Sequence, residues 1–145
     1  MDYSWAGGVV GEFTGRSQLI ACYATGNVKG DAKHVGGVVG DNVYNAVIAC
    51  YATGSVTGAS GSTGGVVGRN FKDDFSSGTV TACYWDNNQS SGIGEDQTNN
   101  GGTTKVTSGD WTEAMNAMNV ALTNAGTDWR YVTGSGDAPL TLQKQ

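Results

Sequence analysis

A chain of 145 residues is sized for one domain, and a net charge of -5 with only 14% charged residues offers no basic surface for nucleic acid. No apolar run reaches the roughly 18 residues that a membrane-spanning helix needs. Glycine stands at 24 positions against one proline, far above its usual share of roughly 7%, but it recurs in register, so it marks tight turns and close backbone approach, not disorder.

Met1-Asp2-Tyr3-Ser4-Trp5 has neither the basic nor the apolar region of a signal peptide. A repeat starts directly afterwards, which leads us to expect a piece of a longer exported protein with its signal removed. Gly-Gly-Val-Val-Gly occurs at 7–11, 36–40 and 64–68, and Cys-Tyr follows at 22–23, 50–51 and 83–84. A period of about 28 residues predicts stacked units, hence an all-β parallel solenoid of about three coils over residues 1–86. From each cysteine onward the first two copies alternate with period two. Cys22, Ala24, Gly26 and Val28 face inward with Cys50, Ala52, Gly54 and Val56; Tyr23, Thr25, Asn27 and Lys29 face outward with Tyr51, Thr53, Ser55 and Thr57. Leu19-Ile20 and Val47-Ile48 break the alternation, so a bend is expected there that lets both residues enter the core. With the glycine-rich run as a further strand, its Gly37 and Gly65 allowing neighbouring coils to approach, the period accommodates three strands per coil. The variable segments 12–17, 41–45 and 69–77 are expected on outward loops.

Residues 87–107 read as a polar, glycine-rich surface linker, and 108–145 as a cap, because an uncovered solenoid edge recruits other chains. Asp110 and Glu113 fit a capping box, Trp111, Met115, Met118 and Leu122 share one face of a helix over 111–125, and Gly126 can stop it. That face should cover the last coil, with Trp85 filling the space where the stack ends. Short strands at 129–132 and 140–142 complete the cap. At the opposite end only Tyr3 and Trp5 are available as cover, so end-to-end self-association through the first coil is expected if they do not close it.

Cys22, Cys50 and Cys83 hold one place in the repeat. They read as a ladder of free thiols, with a Cys22–Cys50 bridge as the alternative in an oxidising compartment. No metal site is expected, since there is no CxxC and His34, alone, reads as a surface residue. The segment 86–90 spaces oxygen ligands as a calcium loop does, but lacks the sixth-position glycine and twelfth-position glutamate. No cofactor is expected. Asp73-Asp74 and Glu95-Asp96 are the adjacent acidic pairs, both read as solvated, and no His-Glu-x-x-His is present, so the chain reads as a non-enzyme. The feature with most functional reach is the outward column Tyr23, Tyr51 and Tyr84, flanked by Thr25, Thr53 and Asp86. It offers either a platform for sugar rings or aromatic contacts that only stabilise the stack.

The pattern Gly-Gly-aliphatic-Val-Gly followed by Cys-Tyr-Ala-Thr-Gly-x-Val-x-Gly resembles the GLUG motif of bacterial surface and secreted proteins, over residues 7–86. Tyr84-Trp85-Asp86, the helix at 111–125 and Ala138-Pro139-Leu140 resemble the tail after the last repeat in gut-bacterial members. The resemblance implies a structural repeat of adhesin-like proteins, or an accessory domain of a secreted peptidase or glycosidase. The function it implies is a rigid surface presented to a host or microbial glycan or protein.

Overall fold

The computed structural model describes residues 4–58, 62–99 and 101–145. The chain winds as a parallel β-solenoid of about three coils. Coil one comprises β1 (Trp5–Gly7), β2 (Val10–Thr14), β3 (Gln18–Ile20), β4 (Tyr23–Ala24) and β5 (Val28–Gly30). Coil two repeats this as β6 (His34–Gly36), β7 (Val39–Val43), β8 (Ala46–Ile48), β9 (Tyr51–Ala52) and β10 (Val56–Gly58). Coil three adds β11 (Ser62–Gly64), β12 (Val67–Phe71), β13 (Thr79–Thr81) and β14 (Cys83–Trp85). Equivalent strands stack in parallel, pairing Gly7 with Gly36 and Gly64, Leu19 with Val47 and Val80, and Tyr23 with Tyr51 and Tyr84.

The full second coil therefore carries five short strands, not three. The additional corner lies at Ala21, Ala49 and Ala82, whose φ angles of 56°, 53° and 49° place all three in the left-handed region. This is the bend expected before each cysteine, but it does not send both preceding residues inward. Leu19 and Val47 join the central core, while Ile20 and Ile48 point to the opposite side.

The glycine-rich run forms another corner. In each coil two successive amides converge on one carbonyl of the next: Val9 and Val10 on Val38, Val38 and Val39 on Val66, Val66 and Val67 on Gly92, all at 2.8–3.0 Å. No side chain fits inside this turn. A Cβ at Gly37 would collide with the Gly65 carbonyl and lie 2.6 Å from the Ala52 methyl, so the motif is a steric requirement of stacking. The core enclosed by the coils holds Val38, Val39, Val47, Cys50, Val66, Val67, Val80, Cys83 and Trp85.

The linker expected at 87–107 instead adds an incomplete fourth coil. Its β15 (Ile93–Asp96) pairs with β12, and β16 (Thr103–Lys105) pairs with β14, so Trp85 is buried inside the stack and not at its end. Where this coil has no strand over β10, the side chain of Asn88 stands in for a peptide. Its Oδ1 accepts from the Val56 amide and its Nδ2 donates to the Val56 carbonyl, both at 2.8 Å. Asn87 and Gln89 likewise donate to the carbonyls of Gly65 and Val56. Within the segment spaced like a calcium loop, Asn87, Asn88 and Gln89 are thus engaged with backbone.

Helix α1 (Thr112–Asn124) and the antiparallel pair β17 (Trp129–Thr133) and β18 (Leu140–Lys144) complete the chain. Asp110 accepts from the Thr112 amide at 2.9 Å, but no reciprocal capping box forms and Trp111 takes the N-cap position. Gly126, at φ 78°, ends the helix with Thr127 N–H bonded to the Leu122 carbonyl. The cap does not close the end of the stack. It straps the flank, where Trp111, Ala114, Met118 and Leu122 pack with Tyr131 and Leu140 against Ala49, Tyr51 and the equivalent positions of the outer coils. The expected covering of the first coil by Tyr3 falls outside the described residues; Trp5 lies in β1.

Candidate functional site

The tyrosine column is real, but it faces the cap and not solvent. Tyr23 and Tyr51 stack with ring centroids 4.9 Å apart and planes within 1°, the separation set by one coil. Tyr51 is fully buried, with Trp111 at 5.1 Å and Tyr131 at 5.7 Å, and its hydroxyl donates to the Leu140 carbonyl. Burial pushes both the Tyr51 and Tyr131 hydroxyls well above the ordinary phenol range. The Tyr131 hydroxyl donates to the Ala49 carbonyl at 2.7 Å, so each of these phenols ties the cap to the stack. Tyr84 is half-buried in the same cluster. The reading of Tyr51 as an exposed platform for sugar is therefore corrected: a helix with an apolar stripe must bury it, and this column is the apolar surface of matching length.

The other three candidate residues do come together at the surface. Thr25, Thr53 and Asp86 occupy equivalent positions in successive coils, linked by the Thr53 amide to the Ala24 carbonyl and the Asp86 amide to the Ala52 carbonyl, each at 3.1 Å. They form one wall of a polar groove of about 430 Å³. Gly136, Asp137 and Pro139 of the turn between β17 and β18, together with Trp111, complete its lining. The groove thus gathers hydroxyls and two carboxylates within one concavity.

No family model matches this chain, and neither does any curated protein or solved structure at a significant level.

Polar residues expected on outward loops are instead buried along the stack. Asn42 Nδ2 donates to Asn70 Oδ1 at 3.0 Å, and Asn70 Nδ2 donates to Asp96 Oδ1 at 3.3 Å and Thr98 Oγ1 at 3.1 Å, a ladder climbing one coil per step. Asn45 bridges coils one and two, donating to the Phe13 carbonyl at 2.6 Å and accepting from the Ser17 amide at 2.7 Å. At its lower end the ladder meets Phe13, the register partner of Asn42, and Asn42 Oδ1 is buried without a hydrogen-bond partner among the described residues.

A second column pairs charges. Asp41, fully buried, receives both Nε and Nη2 of Arg69 at 2.9 and 2.6 Å, with Glu12 and Glu95 at the register positions beyond. This fork raises the Arg69 guanidinium pKa. His34 sits against this column, 3% exposed, with Nδ1 unpartnered among the described residues, so its reading as a surface residue is corrected. Burial, then the nearby Arg69 charge, lowers its pKa. One member of each acidic pair read as solvated also serves the fold, while Asp74 is exposed. Asp73 accepts from Tyr44, and Asp96 closes the asparagine ladder.

Cys22, Cys50 and Cys83 are free thiols, the latter two buried. Cys50 Sγ lies 3.4 Å from the Ile48 carbonyl and Cys83 Sγ 3.5 Å from the Thr81 carbonyl, each with a second carbonyl of the neighbouring coil at 3.7 Å. Among the described residues no group of three or more His, Cys, Asp or Glu side chains is arranged to hold a metal ion.

Proposed function

We propose that this chain is a non-enzymatic adhesion and spacer module of the GLUG-repeat type, belonging to a bacterial surface or secreted protein and presenting a rigid face to a partner. The observation that carries this reading is where its polar chemistry goes. Asn42, Asn70, Asn88, the Asp41–Arg69 pair and the tyrosine hydroxyls all bind the chain's own coils or cap. A stack cross-linked in this way transmits force and holds shape, and it leaves few groups free for chemistry. The test is retention of immobilised protein on bacterial and host-cell surfaces, alongside incubation with peptide and glycan panels. Turnover of any panel member would reject the non-enzymatic reading.

The polar groove favours a second reading, that the partner is a glycan held by Thr25, Thr53, Asp86 and Asp137. Row-wise hydroxyls and carboxylates accept and donate to sugar hydroxyls, and Trp111 lies in the same lining. Binding of the intact chain on a carbohydrate array should fall when Asp86→Ala or Thr53→Val is introduced, with no change in melting temperature. Equal binding by both variants rejects this site.

A further inference from the structure

We propose that Cys22 and Cys50 are a paired thiol-modification site, where a small disulfide such as oxidised glutathione reacts at Cys22 and Cys50 then closes a bond that clamps the first coil to the second. The three cysteines hold one place in the winding. Ile20 pairs with Ile48 and Tyr23 with Tyr51, while Ile48 pairs with Thr81 and Tyr51 with Tyr84, so Cys22, Cys50 and Cys83 stand in line along the stack. All three pack in the same core. Neighbouring strands place equivalent Cα atoms about 4.8 Å apart, inside the span of about 4.4–6.8 Å that a disulfide bridges.

The ladder is not symmetric. Cys50 and Cys83 are buried, and each sulfur lies 3.7 Å from a carbonyl of the coil before it, Leu19 and Val47 respectively. Cys22 is half-buried and sits between β3 and β4, edge strands with no coil before them among the described residues. A reagent therefore meets Cys22 first. Cys50 is closed to solvent, yet its thiol hydrogen-bonds the Cys22 sulfur, and this contact pushes the Cys22 thiol down to about 7 against the opposing effect of burial. Because the thiolate is the attacking form, the sulfur that starts the exchange and the sulfur that completes it are in contact before any reagent arrives.

The same edge decides which pair closes. Side chains stacked in parallel must bring their Cβ atoms from about the strand spacing to about 3.8 Å. β3 is bonded to β8 alone and β4 to β9 alone, so the first coil is free to shift toward the second. A bond between Cys50 and Cys83 would instead draw together β9 and β14, each held by strands on both sides.

The exchange needs no other reactant. The Cys22 thiolate attacks one sulfur of the small disulfide, forming a mixed disulfide and expelling one thiolate, which takes the Cys50 proton. The Cys50 sulfur then attacks the Cys22 sulfur and expels the second thiolate, so two protein thiols are oxidised and one small disulfide is reduced. The new bond joins residues 28 apart and removes loop freedom from the unfolded chain, which should raise the melting temperature by about 5–10 °C.

Peptide mapping of the folded, full chain after incubation with oxidised glutathione tests this. Cleavage after Lys and Arg leaves one cysteine in each of the peptides 17–29, 34–69 and 73–105. The first two should be found linked and the third alkylated as a free thiol, and the rise in melting temperature should vanish on adding reductant. Cys50→Ala should trap glutathione on Cys22, whereas Cys83→Ala should close the bond as the unchanged chain does. Glutathione left on Cys22 of the unchanged chain, a Cys22 that does not react, a bond that includes Cys83, or a Cys22–Cys50 bond without a rise in melting temperature would each overturn the proposal.

Discussion

Replacing Tyr51 by alanine separates a buried strut from an exposed binding platform. The ring is fully buried between Tyr23, Trp111 and Tyr131, and its hydroxyl serves the Leu140 carbonyl. Truncating a buried aromatic costs about 3–5 kcal/mol. Leaving the carbonyl without its donor adds about 1 kcal/mol. For a domain of this size each kcal/mol moves the midpoint by about 3 °C, so Tyr51→Ala should melt about 10–20 °C lower. Tyr51→Phe keeps the ring contacts and should lose only about 1–2 kcal/mol. Thermal melts followed by near-ultraviolet circular dichroism, with urea titrations to check that the transition remains cooperative, give both numbers. A Tyr51→Ala chain whose stability changes by less than about 0.5 kcal/mol, as exposed positions do, would refute the strapped-flank arrangement.

Four other outcomes follow from the same geometry. Gly37→Ala should prevent folding, since its methyl would meet the Gly65 carbonyl and the Ala52 methyl, whereas Gly26→Ala, with nothing within 4 Å, should be neutral; expression and melting of the pair check this. Cys22, half-buried, with its thiol pKa pushed down to about 7 by the hydrogen bond with Cys50 against the opposing effect of burial, should be alkylated first in the folded protein. Cys50 and Cys83 should react only on unfolding, and equal rates by mass spectrometry would contradict the ladder. Asn70→Leu should cost about 2–4 kcal/mol in urea unfolding, because the amide of Asn42 and the carbonyl of Gly78 lose their partner in the interior. On acidification two losses should appear. His34 is held below its ordinary pKa, so the unfolded chain takes up the proton first and stability falls as pH drops below about 6.5. For Asp96, burial works to raise the pKa but hydrogen bonds from Thr98, Gly101 and Asn70 outweigh it, so its contribution, present above the unfolded value, disappears as pH falls through the lower folded value. Urea midpoints between pH 8 and pH 3 check both, and His34→Gln should remove the first step alone.

The period of the sequence was enough to find the winding, the columns of glycine and cysteine, the cap helix and the final strand pair, because each depends on residue types whose spacing has a direct geometric meaning. It was not enough to count the strands. The extra corner falls at Ala21, Ala49 and Ala82, and alanine gives no local sign of a left-handed backbone, which glycine or asparagine would have given. The methyl groups belong to the cluster under the cap, so a tertiary contact holds a conformation that local preference opposes. The buried polar columns were missed for a related reason. Asp41, Asn42 and Asn70 look like loop residues in one dimension, yet Asn42 and Asn70 are 28 residues apart, as are Asp41 and Arg69. Like amides or opposite charges at one period are what a stack needs to satisfy polar groups inside, and that spacing was the available signal.

The same logic divides the candidate residues into those that fold the module and those that stay at its surface. An outward aromatic column and an amphipathic helix, taken separately, each look like an unfinished surface; together they are the two halves of one buried interface, and Trp111 and Met118 of the helix find Tyr51 and Ala49 of the stack. Once that interface forms, Tyr51 has no ring face to offer a sugar, and Tyr23 and Tyr84 are half-buried beside it. What remains open is the next step along each coil, where Thr25, Thr53 and Asp86 emerge beside the turn that carries Asp137. Substitutions in the tyrosine column should therefore change stability first and binding only as a consequence. Substitutions in the threonine and aspartate row should change binding with the fold intact, so measuring both properties on both sets assigns each row to its role.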